Sequence, residues 1–295
     1  MSFTQPKVSI LIPVHNSEPF LEAALCSAAA QTLQDIEIVC LDDGSTDGSL
    51  EILKKFAARD RRILVISQKN SGTFHARVAA AEAANGTHVL CLDADDWLAP
   101  DIAEKAYAVA CDRGVDIVHF SSSIRHDCGE SFRYDIWASP SIVGQVLRQP
   151  AMMQAILGHE ISHQVTDKLV PRELFVAAAR RLLPVVGKEK IIFRDDLLQC
   201  VACFYLAKSY VGIADTGLFY VRRKCSATVL EVEDRMERKI ALGNFLTVAE
   251  GLLCFLEKDP QLVSQARELM IQLMANYVRR ALSIFPKNAD PEATG

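Results

Sequence analysis

The sequence predicts an open α/β fold, a mostly parallel sheet with helices on both faces, extended by helices toward its C-terminal end. Three observations predict it. Through residue 121, short apolar runs alternate with Ala-, Leu- and Glu-rich stretches of helical spacing. Several of those runs are rich in Val and Ile and nearly continuous, as strands covered on both faces are. Near the C-terminal end, apolar residues recur at spacings of three and four.

Strands are expected at 8–13, 36–41, 63–67, 88–92 and 116–121, with helices between them at 20–31, 49–58, 73–84 and 102–111. Ser17 is placed to cap the first helix, with Pro19 in its first turn. Asn85-Gly86 is placed to end the third in a left-handed conformation. Alternation of this kind joins parallel strands through crossover helices. Residues 122–150 are polar and irregular and carry Trp137 and Pro140. Helical spacing returns at 151–157, 172–183 and 195–207, and short strands are expected at 210–213 and 218–222. Residues 231–285 read as two helices broken at Asp259-Pro260. In the second, Leu262, Ala266, Leu269, Leu273, Tyr277, Ala281 and Phe285 form a stripe suited to packing on the α/β core or on a second subunit. Arg267, Arg279 and Arg280 beside the stripe make docking on a membrane surface the alternative.

Of 295 residues, 50% are hydrophobic and 23% charged, enough for a sizeable core and incompatible with global disorder. The 37 acids against 32 bases leave a net charge of −5, without the basic surplus of a nucleic-acid binder. No apolar run approaches the ~20 residues that span a bilayer. Residues 1–7 lack the basic-then-apolar layout of a signal peptide. Nine cysteines, several within apolar segments (Cys40, Cys91, Cys200, Cys203), read as buried free thiols, so a cytoplasmic location is expected. Cys200-x-x-Cys203 has the spacing of a redox or zinc half-site, but no second pair accompanies it.

In open parallel sheets ligands bind beyond the carboxyl ends of the strands, so the residues just after each run are the ones to question. They are Pro13-Val14-His15-Asn16-Ser17, Asp42-Asp43-Gly44-Ser45-Thr46-Asp47-Gly48, Gln68-Lys69-Asn70-Ser71-Gly72 and Asp93-Ala94-Asp95-Asp96-Trp97. Carboxylates gathered at one edge repel, and a cation or hydrogen-bond donors must offset them. Hard carboxylate oxygens suit Mg²⁺ or Mn²⁺ carrying substrate phosphates; the plainer reading is a solvated turn with Asp95 or Asp96 capping the helix that starts near Pro100. The chain has no Gly-x-x-x-x-Gly-Lys-[Ser/Thr] loop, no Gly-x-Gly-x-x-Gly after the first strand and no Gly-x-Ser-x-Gly elbow. A nucleotide held by acids and a metal remains.

These segments resemble a known family. Val8-Ser9-Ile10-Leu11-Ile12-Pro13-Val14-His15-Asn16 is similar to the opening strand of the inverting family-2 glycosyltransferases. Asp42-Asp43-Gly44-Ser45-Thr46-Asp47-Gly48-Ser49 matches that family's D-D-G-S-x-D-x-S loop. Asn70-Ser71-Gly72-Thr73-Phe74-His75-Ala76-Arg77 resembles its N-x-G-x-x-x-A-R segment, and Leu92-Asp93-Ala94-Asp95-Asp96-Trp97 its L-D-x-D-D-W element. Further on, Phe193-Arg194-Asp195-Asp196-Leu197-Leu198 looks like its G-E-D box, with Arg194 for Gly and Asp195 for Glu. Phe219-Tyr220-Val221-Arg222 and Ser226 are similar to its closing Y-x-Y-R…S element. His15 stands where Tyr is usual, Val78 where Asn is, and Gln199 where an apolar or aromatic residue is.

The resemblance implies a GT-A fold, Rossmann-like in its sheet, and sugar transfer from a nucleoside diphosphate sugar (UDP-linked on family grounds) with inversion at the anomeric carbon. Carried over by position, Pro13, Asp42, Asp43 and Arg77 would hold the nucleoside, with His15, Asn16 and Ala94 in the same site. Asp93 would contact the ribose and, with Asp95, stand at a Mn²⁺ or Mg²⁺ bridging the two phosphates. Asp196 would be the general base; Asp195 is the other candidate, since helix starts are uncertain by a residue or two. The domain would run over residues 1–225, its nucleotide-sugar half at 7–121 and its acceptor half at 122–225, with a helical extension at 226–295. The implied partners are the nucleoside diphosphate sugar and a saccharide or lipid-linked acceptor, as in cell-surface polysaccharide synthesis. Contact with the inner face of the membrane, or a homodimer through the C-terminal helices, would fit the tail. Two other readings stay open: a non-catalytic sugar-nucleotide binding module, and a sugar-phosphate nucleotidyltransferase. The second wants a Gly- and Arg-rich loop after the first strand, where His15-Asn16-Ser17 stands.

Overall fold

The computed structural model describes residues 5–126, 135–136, 142–191, 194–222 and 235–283. Four parallel strands carry the N-terminal half: β1 (Val8–Val14), β2 (Ile36–Asp42), β3 (Ile63–Ser67) and β4 (His88–Cys91), in the spatial order β3-β2-β1-β4. The helices α1 (Leu21–Ala29), α2 (Ser49–Ala57) and α3 (Thr73–Ala83) join them. Every residue of β1 is buried, and its side chains divide by the period of two. Ile10 and Ile12 enter one hydrophobic cluster with Leu25, Ile38 and Ile102, while Leu11 enters the opposite cluster with Val39, Phe74 and Ala80. Both faces are therefore covered, which is why these strands read as unbroken apolar runs.

The second half continues the same sheet: β5 (Trp97–Leu98), α4 (Ile102–Arg113), β6 (Ile117–His126), β7 (Asp135–Ile136), β8 (Val146–Arg148), α5 (Ala151–Leu157), β9 (Lys168–Pro171), α6 (Arg172–Val186), α7 (Asp195–Leu206) and β10 (Ser209–Arg222). Beyond β4 the strand order runs β9-β6-β10-β5, with β7 on β6 and β8 on β10. β6 and β10 are parallel, whereas β9 is antiparallel to both neighbours, so it closes the sheet between the two halves. The expected strands at 210–213 and 218–222 are one strand. Register shifts between Gly212 and Thr216 and between Thr216 and Leu218 interrupt its apolar pattern without breaking the pairing with β6.

Two local expectations are corrected. Ser17 does not cap α1; its carbonyl accepts the N–H groups of Phe20 (2.9 Å) and Leu21 (3.0 Å), closing a turn that precedes the helix. Gly86 is not left-handed; it is needed for close approach. Its N–H donates to Ser9 Oγ at 2.9 Å, and a Cβ there would stand 2.3 Å from that oxygen and 2.8 Å from Ser9 N.

Two long helices follow, α8 (Arg235–Phe255) and α9 (Pro260–Ser283). Phe245, Val248 and Leu252 of α8 and Leu262, Ala266, Leu269 and Leu273 of α9 join the core formed by α5, α6 and α7. The stripe thus packs on the α/β body through Leu273; Tyr277 is half-buried, and the side chains of Ala281 and Phe285 lie outside the described residues. No described helix is long and apolar enough to cross a membrane. The cysteines among the described residues are free, and burial pushes the thiols of Cys40, Cys91 and Cys200 up to about 12. Cys200 and Cys203 are packed in the core, and the described residues hold no cluster of His, Cys, Asp or Glu built to cage a metal.

The Gly86 packing yields a prediction. Gly86→Ala forces backbone against backbone at the start of β1 and is expected to cost about 1–3 kcal/mol of stability. Urea denaturation of the variant against the parent checks this, and an unchanged midpoint would contradict the close packing.

Candidate active site

The strand order reverses between β1 and β4, so the connections leave to opposite sides and open a crevice at their carboxyl ends. Pro13 widens it. Leu92 N–H donates to Leu11 O at 2.9 Å, and the next rung would need an N–H that proline lacks, so the two strands part there. The loops after β1, β2, β3 and β4 line this crevice.

Asp42 and Asp43, at the end of β2, are both buried but differently used. Asp42 Oδ1 accepts Ser45 N–H at 3.1 Å, forming a turn within its own loop. Asp43 is occupied on both oxygens. Oδ1 accepts from Ser71 N (2.9 Å), Ser71 Oγ (3.2 Å) and Gln68 Nε2 (2.8 Å), and Oδ2 accepts Gly72 N–H at 2.8 Å. Asp43 thereby ties the β3–α3 loop to β2, a use that needs Gln68 and Ser71, neither singled out in the sequence. Gly44 follows at φ +70°, and a Cβ on it would stand 2.9 Å from Asn70 N, so the loops meet only around glycine.

His15 projects into the same corner. Its Nδ1–H donates to Asp43 O at 3.0 Å, which leaves Nε2 to accept from Asn70 Nδ2 at 2.9 Å. Asn16 takes a left-handed φ of 49° and is held there by Thr46 N–H, which donates to its Oδ1 at 2.8 Å. His15 is thus brought against Asp43, and Asn16 against Thr46 of the same loop.

Arg77 is placed otherwise. It lies on α3 with 4% of its side chain exposed and is surrounded by acids from two other segments. One terminal nitrogen donates to Asp93 Oδ1 at 2.6 Å; the other donates to Asp195 Oδ2 at 2.6 Å and to Asp196 Oδ1. Its Nε is buried without a partner. The guanidinium therefore joins the acidic turn after β4 to the first turn of α7, which starts at Asp195 behind a left-handed Arg194. Two acids in a first turn face the positive end of the helix, a favourable placement. Neither is the cap. Burial raises the Asp196 carboxyl, Arg77 opposes the rise, and Asp195 and Asp93 reinforce it, giving about 7. Burial likewise raises Asp195. Asp196 keeps 28% of its side chain exposed against 9% for Asp195, so Asp196 is the one a substrate can reach.

In the acidic turn, Asp96 N–H donates to Asp93 O at 3.1 Å, and Asp93 and Asp95 are half-exposed at the crevice. Asp96 is buried and does not cap α4; its Oδ1 accepts Val221 N–H at 2.8 Å and fastens the end of β10 to the turn. Ala94 is buried between the acids. Behind the site runs a network the sequence did not suggest. His119 contacts Tyr210 Oη at 2.9 Å and Asp167 Oδ2 at 3.2 Å, and Lys168 Nζ donates to Asp167 Oδ1 at 2.6 Å. Burial and the nearby Lys168 lower the His119 pKa, so the imidazole is neutral and donates to Asp167 while accepting from Tyr210. An Asp-Lys pair inside the apolar 165–170 segment was the available signal.

Three carboxylates converge on one cation, and Asp95 adds a fourth nearby. A half-exposed turn of hard carboxylate oxygens suits an Mg²⁺- or Mn²⁺-type cation that takes its other ligands from phosphate and water. The residues fit such a group: Asp95, with Asp93, would hold it.

The sheet, with a crevice at the carboxyl ends of its parallel strands, is of the open α/β class. Residues 9–172, more than half of the chain, match the family model Glycosyl transferase family 2, and the protein belongs to that family. EpsJ of Bacillus subtilis, an uncharacterized glycosyltransferase, is 34% identical over 224 residues, 74% of this chain and 61% of its own length. The crystal structure of residues 1–349 of Staphylococcus aureus TarS superposes with a TM-score of 0.62 at 18% identity, covering 98% of this chain and 75% of that one; it has also been solved with UDP and with UDP-GlcNAc. The mannosyltransferase PcManGT of Pyrobaculum calidifontis, in complex with GDP-Man and Mn²⁺, superposes with a TM-score of 0.55 at 16% identity over 95% of this chain and 74% of that one. The fold is GT-A.

Because Arg77 pairs with three carboxylates, Arg77→Ala is expected to destabilise the protein by about 3–5 kcal/mol, the usual cost of breaking a buried ion cluster from one side. Chemical denaturation at neutral pH measures it. A loss below about 1 kcal/mol, the range of an exposed pair, would show that the cluster does not hold the fold.

Proposed function

We propose that the protein transfers a sugar from a UDP-sugar to a hydroxyl of a saccharide or lipid-linked acceptor, inverting the anomeric carbon, in the assembly of cell-surface polysaccharide. The observation that carries this reading is the Arg77 bridge. It brings the acid turn after β4, where a diphosphate and its metal would lie, to the carboxylate best placed to take a proton. The UDP complexes of TarS and the Mn²⁺ complex of PcManGT support the donor and cation classes at the level of fold. Residues 1–225 would form the transferase domain and 226–295 its helical extension.

In this reading the nucleoside lies against the β1 and β2 loops, with Pro13, His15, Asn16 and Asp42 around it. Asp43 shapes the corner through its four internal hydrogen bonds. The metal, held by Asp95 and Asp93, would supply Lewis-acid stabilisation of the diphosphate leaving group. Asp196 accepts the acceptor hydroxyl's proton as that oxygen attacks the anomeric carbon, and the bond from that carbon to the diphosphate oxygen breaks on the opposite face. One displacement needs one base and gives inversion. A carboxyl raised to about 7 is a stronger base than an ordinary aspartate and still offers a large ionised fraction at neutral pH, which grows as pH rises. Arg77 orients that carboxylate and Asp93 together.

Three predictions test the reading. Asp95→Ala is expected to remove the Mn²⁺-dependent part of UDP affinity in calorimetry without loss of fold, since it relieves repulsion in the turn. Undiminished metal-dependent affinity would refute the metal assignment. Asp196→Asn is expected to slow transfer about 10²–10⁴-fold with UDP affinity held, while Asp195→Asn costs much less. Because the base acts deprotonated, kcat/KM for the parent should fall about tenfold per unit as pH drops below about 7, and this acid limb should vanish in Asp196→Asn. Near-parental transfer by that variant would remove Asp196 from the role.

A further inference from the structure

One cation at the rim of the crevice belongs to none of the groups above. Arg125 is exposed near the end of β6, with its guanidinium carbon 4.9 Å from the ring centre of Phe219 and 5.6 Å from that of Trp97. The two rings face each other across the β5–β10 pair, with centroids 5.7 Å apart and planes 20° apart. Phe219 pairs with Ser123 of β6, so Arg125, two residues on, points to the same face. No acid among the described residues pairs with Arg125. Both rings are half-exposed. A guanidinium laid on aromatic faces is held flat at little further entropic cost and presents its N–H edge outward.

This shelf is part of the acid turn. Trp97 follows Asp95 by two residues, no more than about 7 Å of backbone, and Asp96 fastens the turn to Val221, two residues beyond Phe219. An acceptor entering here meets aromatic surface for the apolar face of a sugar ring and a planar cation. The surroundings otherwise carry the carboxylates of Asp93, Asp95 and Asp196. A neutral acceptor gains nothing from a guanidinium at this point, whereas for an acidic one it offsets the repulsion of the carboxylates.

Resting on the transferase reading above, we propose that Arg125, Trp97 and Phe219 form an acceptor subsite for a sugar bearing an oxyanion, either a uronate carboxylate or a phosphodiester. The guanidinium pairs with the anion while a ring edge supports the sugar.

The sequence has two tryptophans, so in a Trp137→Phe background Trp97 alone reports on the shelf by fluorescence. The full chain, with UDP and Mn²⁺ present, is titrated with a glucuronate-containing oligosaccharide, a glycerol phosphate oligomer and a neutral chito-oligosaccharide. UDP affinity is measured separately by calorimetry. At least one acidic probe is expected to change the Trp97 signal, and Arg125→Gln to weaken its binding about tenfold with UDP affinity unaltered. Which acidic probe responds identifies the anion as carboxylate or phosphate. The proposal is overturned if the neutral probe binds as tightly as the acidic ones, if Arg125→Gln leaves acidic binding unchanged, or if it weakens UDP equally, which would place Arg125 on the donor. UDP binding with no response to any probe sinks the subsite alone; failure of UDP itself to bind sinks the donor reading and the subsite with it.

Discussion

A single buried guanidinium organises this protein. Arg77 on α3 reaches Asp93 after β4 and Asp195 and Asp196 at the head of α7, so three stretches far apart in the chain are fixed by one planar group. Taking such charges out of water costs several kcal/mol per ion, and only close, shared hydrogen bonds offset it. Among the described residues the arrangement is lopsided, with three acids on one base; burial raises Asp196, and the neighbouring acids add to the rise against Arg77. Stability and chemistry are set by the same atoms.

The rest of the crevice is made by subtraction and restraint. Pro13 withholds a donor and lets β1 and β4 separate. Asp43 spends both oxygens on the neighbouring loop, so the wall beside the opening stays rigid where the sheet no longer supports it. Asp96 does the same for the far wall by accepting from Val221. Of the clustered acids, then, two are braces, and the half-exposed Asp93, Asp95 and Asp196 are left facing the opening.

Much of this was legible in the residues. The Val- and Ile-rich runs announced β1, β2, β4 and β6 because both faces of those strands are covered, and burial on both faces leaves a continuous apolar signature; β3, at the sheet edge, shows the same run although Leu64 is exposed. The acid loops marked the edge of the sheet where the crevice opens. What could not be read has physical causes. β9 spans four residues, two of them in no typical strand pattern because Lys168 is neutralised by Asp167 and by the carbonyls of Ser162 and Gln164. β10 looked like two strands because its irregularities fall at Gly212–Gly217, where the side-chain alternation lapses. Arg77 read as a nucleoside ligand because a sequence does not disclose which acids, Asp93 16 residues on and Asp195 and Asp196 118 and 119 residues on, will fold onto a given base. Asp43 looked as available as Asp42 for the same reason.

The position of β9 also governs the order in which the sheet can be completed. It lies antiparallel between β4 and β6, although its residues come after both in the chain. A chain emerging from the ribosome therefore presents β4 with one edge bare until residues 168–171 appear, and nothing earlier among the described strands fills that gap. Bare edges recruit other strands, and nascent chains are where such errors begin. The interval between the exit of β4 and the arrival of β9 is thus one in which an unpaired strand edge is open to mispairing.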